Sequence, residues 1–159
     1  MWTIAILTSS DQGATGKRAD ESGAILATHL EQVGKVVERK ILPDEEELLA
    51  QQMQKWIDQG IDLILTTGGT GLGPRDVTPE ATRRVIDRDI SGIAEALRQE
   101  SMRHTPMGML SRGIAGQAKM TLIINLPGSP RAIEELLPVI FPVLDHAMHL
   151  IHGQTTHEK

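Results

Sequence analysis

Leu63-Ile64-Leu65-Thr66-Thr67-Gly68-Gly69-Thr70-Gly71-Leu72-Gly73-Pro74-Arg75-Asp76-Val77-Thr78-Pro79-Glu80 decides how this chain reads. Its apolar opening has strand character and no polar alternation, which suits a strand buried on both faces at the centre of a parallel sheet. The run stops abruptly at Thr-Thr-Gly-Gly-Thr-Gly. Open α/β sheets gather their ligands outside the carboxyl ends of their strands. Glycines placed there permit positive φ and close backbone approach, so successive N–H groups can converge on an anion. A turn holding Pro74 and the Arg75-Asp76 pair follows, then a helix start at Thr78-Pro79-Glu80. The outline is a phosphate site with an acid beside it. Its spacing is neither a dinucleotide fingerprint nor a P-loop, since no helix opens directly from a G-x-G-x-x-G and no Gly-Lys-Ser/Thr follows. Glycine-rich strand-to-helix turns also occur as plain connectors, so the glycines alone leave function open.

With 159 residues the chain has the size of a single domain, residues 1–159, and enough length for a substantial core. A formal charge of −5 and a pI near 5.6 argue against nucleic-acid or membrane-surface partners recruited by net charge. A local basic pocket stays possible. The absence of cysteine excludes disulfides, thiol catalysis and Cys-based zinc sites. Trp2, Trp56 and Phe141 are the only aromatics, so Ile, Leu, Val, Met and Ala must build the core and a base-stacking platform is not supported. The N-terminus enters an apolar strand with no basic leader, and no apolar run reaches the roughly 20 residues that cross a bilayer. A cytoplasmic protein is expected.

Taken in order, Thr3 to Ser9 is a continuously apolar first strand ending at Ser9-Ser10-Asp11. Gln12 to Arg18 has the composition of a flexible surface loop, or of a second ligand loop at the same sheet edge. A helix is predicted from about Asp20 to Val33, stopping at Gly34, and a more exposed strand from Lys35 to Leu42. The next helix, about Glu45 to Gln59, buries Leu49, Met53 and Trp56, with Glu45, Glu46 and Glu47 as solvated starters in its first turn. Asp44 before it reads either as an N-cap or as a site residue. After the central strand, a helix from Thr78 to about Asp87 is broken by Arg88 to Gly92. A further helix carries Ile93, Leu97 and Met102 inward. Met109 to Gly116 alternates small and apolar residues, as an edge strand does. Lys119 to Leu126 is a buried strand ending in Asn125-Leu126-Pro127-Gly128-Ser129-Pro130, where a helix N-terminus offers a second anion site. Pro138 and Pro142 should kink or split the last helix, Pro130 to His152. His146, His149 and His152 fall at metal-ligand spacing, but an exposed helix face is the stronger reading because nothing completes a site.

Helices alternating with strands imply an α/β fold, a three-layer α/β/α arrangement with a mostly parallel sheet. Four separated elements resemble the molybdopterin adenylyltransferase family, the MogA- and MoaB-like proteins and the matching domain of gephyrin. They are Leu-Thr-Thr-Gly-Gly-Thr-Gly with Pro-Arg-Asp-Val-Thr-Pro-Glu-Ala; Leu42-Pro43-Asp44-Glu45; Leu110-Ser111-Arg112; and Asn125-Leu126-Pro127-Gly128-Ser129-Pro130. Ser-Asp after the first strand and Asp20-x-Ser22-Gly23 also match, although Gln12-Gly13 departs from the commonest form. The resemblance runs from residue 3 to about residue 152 and implies the molybdopterin-binding domain fold.

It also implies a role in molybdenum cofactor biosynthesis: Mg-ATP-dependent adenylylation of molybdopterin, releasing pyrophosphate, ahead of molybdate insertion by another protein. Asp44 and Asp76 would be the catalytic, Mg2+-holding acids. Ser10, Asp11, Thr67, Gly68, Gly69, Thr70, Gly71, Arg75, Ser111, Arg112, Asn125, Pro127, Gly128 and Ser129 would bind the substrates, Arg112 by a two-pronged grip on phosphate. Relatives form homotrimers or trimer-based hexamers, and the same precursor serves a tungsten pathway. The alternative is a non-catalytic molybdopterin-binding or scaffold member of the same fold, which the presence of both acids and Arg75 disfavours.

Overall fold

The computed structural model describes residues 1–154 of the chain. Six strands form one sheet: β1 (Trp2–Ser9), β2 (Gly34–Leu42), β3 (Leu63–Thr67), β4 (Arg88–Asp89), β5 (Ala115–Ala118) and β6 (Thr121–Leu126), in the order β2-β1-β3-β6-β5-β4. The β2-β1-β3-β6 half is parallel, and β5 and β4 add antiparallel at one edge. The helices are α1 (Asp11–Ala14), α2 (Glu21–Leu30), α3 (Glu46–Asp58), α4 (Thr78–Arg83), α5 (Ser91–His104) and α6 (Pro130–Ile151), with a short 3-10 turn at Pro106–Leu110.

The continuous apolar strands are buried on both faces. Ile4, Ile6, Leu63, Leu65, Leu122 and Ile124 pack with α2, α5 and α6 on one side. The alternate residues Ala5, Leu7, Ile64 and Ile123 pack with Leu49, Met53 and Trp56 of α3 and Ala81 of α4 on the other. This parity is the period of a strand, and it produces the three layers. Edge strand β2 alternates half-buried with exposed residues, as its charges foretell.

Register places the site. Thr8 pairs with Thr67, and Thr67 with Leu126, so β1, β3 and β6 end level with one another. Ser9 pairs with Leu42, which brings Pro43-Asp44 to the same edge. All three glycine- and serine-bearing strand ends therefore open on one side of the sheet.

Several expectations are corrected. Gln12 to Arg18 is not wholly loop: Ser10 caps the one-turn helix α1 by accepting from the Gly13 N–H. Helix α4 ends at Arg83, short of Asp87, and the Arg88 to Gly92 break contains the two-residue strand β4 that closes the sheet edge. Met102 is exposed rather than buried, while Leu97 holds the core position on α5. Met109 to Gly113 is not strand but the end of the 3-10 turn and an irregular lead into β5. Helix α6 is not split. Pro138 and Pro142 stand one turn apart on its exposed face, so the carbonyls they leave without an N–H partner face water. No helix among the described residues is long and apolar enough to cross a membrane.

Candidate active site

Three strand-end loops and the Pro43-Asp44 turn meet at this edge, and a continuous chain of hydrogen bonds ties them. Asp44 accepts from the Ser9 hydroxyl at 2.6 Å and from the Asp11 N–H at 3.0 Å. Its own N–H donates to Asp11 Oδ1 at 3.0 Å, so the two acids hold each other's backbone. Asp44 is not the helix cap: Glu45 occupies the N-cap of α3 and makes no side-chain bond there. The carboxylate that sequence left between two roles is turned to Ser9 and Asp11 and does not cap α3.

Arg75 reaches across from the glycine loop and grips Asp11 with Nε at 3.0 Å and Nη2 at 2.8 Å. That contact, followed by the bond from the Asp44 N–H, holds the Asp11 carboxyl below the usual aspartate range, and the same contact raises Arg75. Both side chains are about half exposed, at 57% and 43%, so the pair serves geometry more than stability.

The glycine loop is shaped by two left-handed residues, Gly68 at φ 88° and Gly69 at φ 69°. A Cβ on Gly68 would lie 2.6 Å from the Ser9 carbonyl oxygen, and one on Gly69 would strike the Thr78 hydroxyl. Thr78 anchors both turns, its hydroxyl donating to Gly68 O and its N–H to Gly69 O. Asp76 accepts from the Gly73 N–H through Oδ2 at 2.9 Å. Its Oδ1 takes no hydrogen bond among the described residues.

The third loop is held by buried polar groups. Thr67 donates to Pro127 O, and Asn125 donates to the Thr66 and Thr82 hydroxyls while accepting from the Ile114 N–H. Ser129 caps α6 by accepting from Ala132 N. Ser22 donates to Gly128 O at 2.5 Å, fastening α2 to this loop.

Two cavities flank these loops. One, of 510 Å³, is rimmed by the hydroxyls of Thr8, Ser9, Ser10, Ser22 and Ser129 together with Arg18 and Gly68. The other, of 400 Å³, is mainly apolar and lies under the 3-10 turn, with Thr70, Gly71, Leu97, Ser111, Asn125 and Pro127 in its wall. Of the expected site residues, Ser10, Thr67, Gly68, Gly128 and Ser129 line the first, and Thr70, Gly71, Ser111, Asn125 and Pro127 the second. Asp11, Asp44, Arg75 and Asp76 stand outside both linings, the first three joined by the Asp44–Asp11–Arg75 bonds. Arg112 departs from expectation. Each of its three side-chain nitrogens is engaged within the protein, at Gly71 O, Glu80 and Asp76 O, so its fork is turned to the loop.

Sequence reading did not single out Thr8 or Glu80, and it met Arg18, Asp20 and Ser22 only within a candidate loop and a matching pattern, not as site residues. Asp20 caps α2, accepts from Thr8 and pairs with Arg39 at 3.1 Å, and Ser22 sits on the same turn. The Asp20-x-Ser22-Gly23 pattern was the available signal. Among the described residues, no three His, Cys, Asp or Glu side chains gather as a metal cage. Of the three histidines, His149 and His152 pack against Trp2, with His152 2.9 Å from Asp62, at the other end of α6. Asp44 and Asp76 each keep carboxylate lone pairs outside their hydrogen bonds, and carboxylate oxygen is the donor type that Mg2+ takes.

A family model described as a probable molybdopterin binding domain matches residues 5–146. The chain is 39% identical over 154 residues to a molybdopterin adenylyltransferase of Helicobacter pylori, covering 94% of this chain and 88% of that protein. It is 42% identical to a gephyrin of Dictyostelium discoideum, covering 96% of this chain but 23% of that longer protein. Among solved structures, the molybdopterin biosynthesis enzyme MoaB of Thermus thermophilus superposes with a TM-score of 0.90 at 46% identity, covering 96% of this chain and 98% of that one. The parallel strand ends, the left-handed glycine pair and the match over residues 5–146 agree: this chain belongs to the molybdopterin-binding domain family of molybdenum cofactor biosynthesis.

Proposed function

We propose that this chain is a molybdopterin adenylyltransferase acting in molybdenum cofactor biosynthesis. A terminal phosphate oxygen of molybdopterin attacks the α-phosphorus of ATP. The bond from that phosphorus to the bridging β-phosphate oxygen breaks, and adenylyl-molybdopterin and pyrophosphate leave. No side-chain nucleophile is needed. Bringing two anions together requires positioning and charge stabilisation, which carry most of such transfers. The single observation that carries the reading is the linked set Asp44–Asp11–Arg75, with Asp76 one residue beyond, at the sheet edge whose strand-end loops line the two cavities.

In this reading the hydroxyl-rimmed cavity, with Arg18, Ser10, Gly68, Gly128 and Ser129, takes phosphate groups. The apolar cavity takes the fused ring, with Ser111 as a polar contact in its wall. Asp44 and Asp76 would hold Mg2+, which when bound supplies neutralisation of the triphosphate. The protein's own part is to fix those carboxylates and to offer backbone N–H groups from Gly69 to Gly71. A homotrimer or trimer-based hexamer belongs to the same proposal, and so does a cytoplasmic setting in which the product passes to a molybdate-insertion protein. The apolar 350 Å³ groove between α5 and α6, with Val143 and Leu150 exposed, is a surface such an assembly would cover.

The test is direct. Purified protein is incubated with molybdopterin, Mg2+ and ATP labelled at the α-phosphate, and the label is followed by chromatography. Transfer of label to the pterin with matching release of pyrophosphate is expected. Molybdopterin binding without any transfer would establish the non-catalytic carrier instead.

A further inference from the structure

The loop from Thr70 to Val77 has no regular secondary structure, and Leu72 to Arg75 are exposed. Something must hold it, because Asp76 can act on a bound ion only if its carboxylate is fixed. The bonds within the loop are few: Gly73 N–H to Asp76 Oδ2, and Asp76 N–H to Gly73 O. They make a small closed turn but do not fasten it to the fold. The Arg75 side chain fastens the tip by gripping Asp11, and the backbone at the loop's two ends is held by one residue of another segment. The Arg112 N–H donates to Thr70 O at 2.8 Å, its Nε to Gly71 O at 2.8 Å and its Nη2 to Asp76 O at 2.8 Å. Backbone carbonyls at both ends of the loop thus accept from a single arginine.

The guanidinium is itself aimed. Its Nη1 lies 2.6 and 2.9 Å from the two carboxylate oxygens of Glu80, in the first turn of α4. Arg112 is thereby tied to the same helix that carries Thr78, which anchors Gly68 and Gly69. Arg112 follows Ser111, which lines the apolar cavity. One side chain therefore joins the wall of the ring cavity, the glycine loop and the backbone of Asp76.

We infer that Arg112, oriented by Glu80, is a positioning residue: it sets the Thr70–Asp76 loop so that the Asp76 carboxylate faces a divalent cation bound with the nucleotide. This rests on the proposed adenylyl transfer and on Asp76 as a ligand. It assigns Arg112 no direct contact with substrate. A rigid planar fork can satisfy carbonyls in different directions at once, whereas lysine offers a point charge and cannot span them. Groups that orient ligand residues typically change metal affinity or activity about ten- to a hundred-fold when removed.

The experiment uses Arg112→Gln, Arg112→Lys, Glu80→Gln and the Arg112→Gln/Glu80→Gln double variant in the full chain. Amide hydrogen exchange over residues 70–77 and Mn2+ binding in the presence of a non-hydrolysable ATP analogue are measured beside adenylyl transfer. In Arg112→Gln we expect faster exchange in that segment and about tenfold weaker Mn2+ binding, with molybdopterin affinity within about threefold of wild type. Arg112→Lys should not restore Mn2+ affinity. The double variant should be no worse than Arg112→Gln alone, because the two residues act as one unit. Unchanged exchange, or unchanged Mn2+ affinity in a loosened loop, overturns the inference. So does a loss of molybdopterin affinity alone, which would make Arg112 a direct ligand. Failure of the wild type to transfer label while these binding effects hold would count against the adenylyltransferase reading, not against the positioning role. A wild type that binds no Mn2+ would remove both the metal assignment and this inference.

Discussion

Replacing Asp44 by asparagine separates chemistry from scaffolding, because the structure shows what that carboxylate holds. It accepts two bonds, from Ser9 Oγ at 2.6 Å and the Asp11 N–H at 3.0 Å. Asparagine can keep both. Its carbonyl oxygen can face the Asp11 N–H, and its amide can donate to the Ser9 hydroxyl once that rotates to accept. Each bond then changes from charge-assisted to neutral, a loss of about 1 kcal/mol apiece at a half-buried site. Removing a negative charge beside Asp11 offsets part of this. The net cost is thus about 1–2 kcal/mol, a fall in Tm of roughly 2–8 °C for a chain of this size. If the charge also holds Mg2+ against the triphosphate, transfer should fall on the order of a hundred-fold or more, an interaction realised chiefly in the transition state. The assay is single-turnover adenylylation at saturating Mg-ATP, beside a thermal melt and a molybdopterin titration. A cooperative melt lowered by no more than that, with pterin affinity kept and the rate lost, is the expected pattern. Wild-type turnover, or collapse of the fold in step with activity, would refute the reasoning.

Three further outcomes are expected. Asp76→Asn should keep the Gly73 bond through its side-chain carbonyl and melt close to wild type, yet lose transfer on the order of a hundred-fold; unchanged Mn2+ affinity by titration would exclude it as a ligand. Arg75 holds the Asp11 carboxyl low, so any stability from the pair is complete above the ordinary aspartate value of about 3.9 and is lost as pH falls through the depressed one. Arg75→Ala should raise the Asp11 midpoint toward that ordinary value in an NMR titration, and an unmoved midpoint would mean the pair does not persist in solution. Gly69→Ala combines positive φ with a collision on Thr78 and should destabilise by about 2 kcal/mol or more; a melt within a degree of wild type would show that the loop accommodates a Cβ freely.

The fold was legible because its signals are local and repeated. Continuous apolar strands announced a sheet covered on both faces, and glycine or proline marked the ends of β2, β3 and β6. Parallel pairing then left little choice about where those ends would lie. What escaped depended on context that periodicity does not carry. Strand β4 is two residues long and exists only because Asp89 and Arg88 find partners on β5. Helix α6 survives two prolines because both face water, which a residue count cannot reveal.

The site divides in the same way, and Arg112 shows why. Sequence can bring an arginine beside a ligand cavity, since the chain segment that carries it is fixed by topology. It cannot say which acceptors the guanidinium will find there. A lone arginine near phosphate-binding glycines reads as a phosphate ligand, because that is the commonest use of its fork. Here Glu80, thirty-two positions earlier, and the carbonyls of Gly71 and Asp76 reach it first. Asp44 went the other way: its position before a helix offered a sufficient local role as a cap, yet its oxygens turned to Ser9 and Asp11 across the sheet edge. In both residues a long-range partner overrode the nearest local one. Strand ends choose which residues assemble at this edge; hydrogen-bond competition among them decides which remain free to meet a ligand. On that criterion Asp76 Oδ1, which takes no hydrogen bond among the described residues, is the group left free, whereas the rim hydroxyls of Thr8, Ser9, Ser10, Ser22 and Ser129 are each engaged within the protein and, with Arg112, Thr67 and Asn125, belong to the frame.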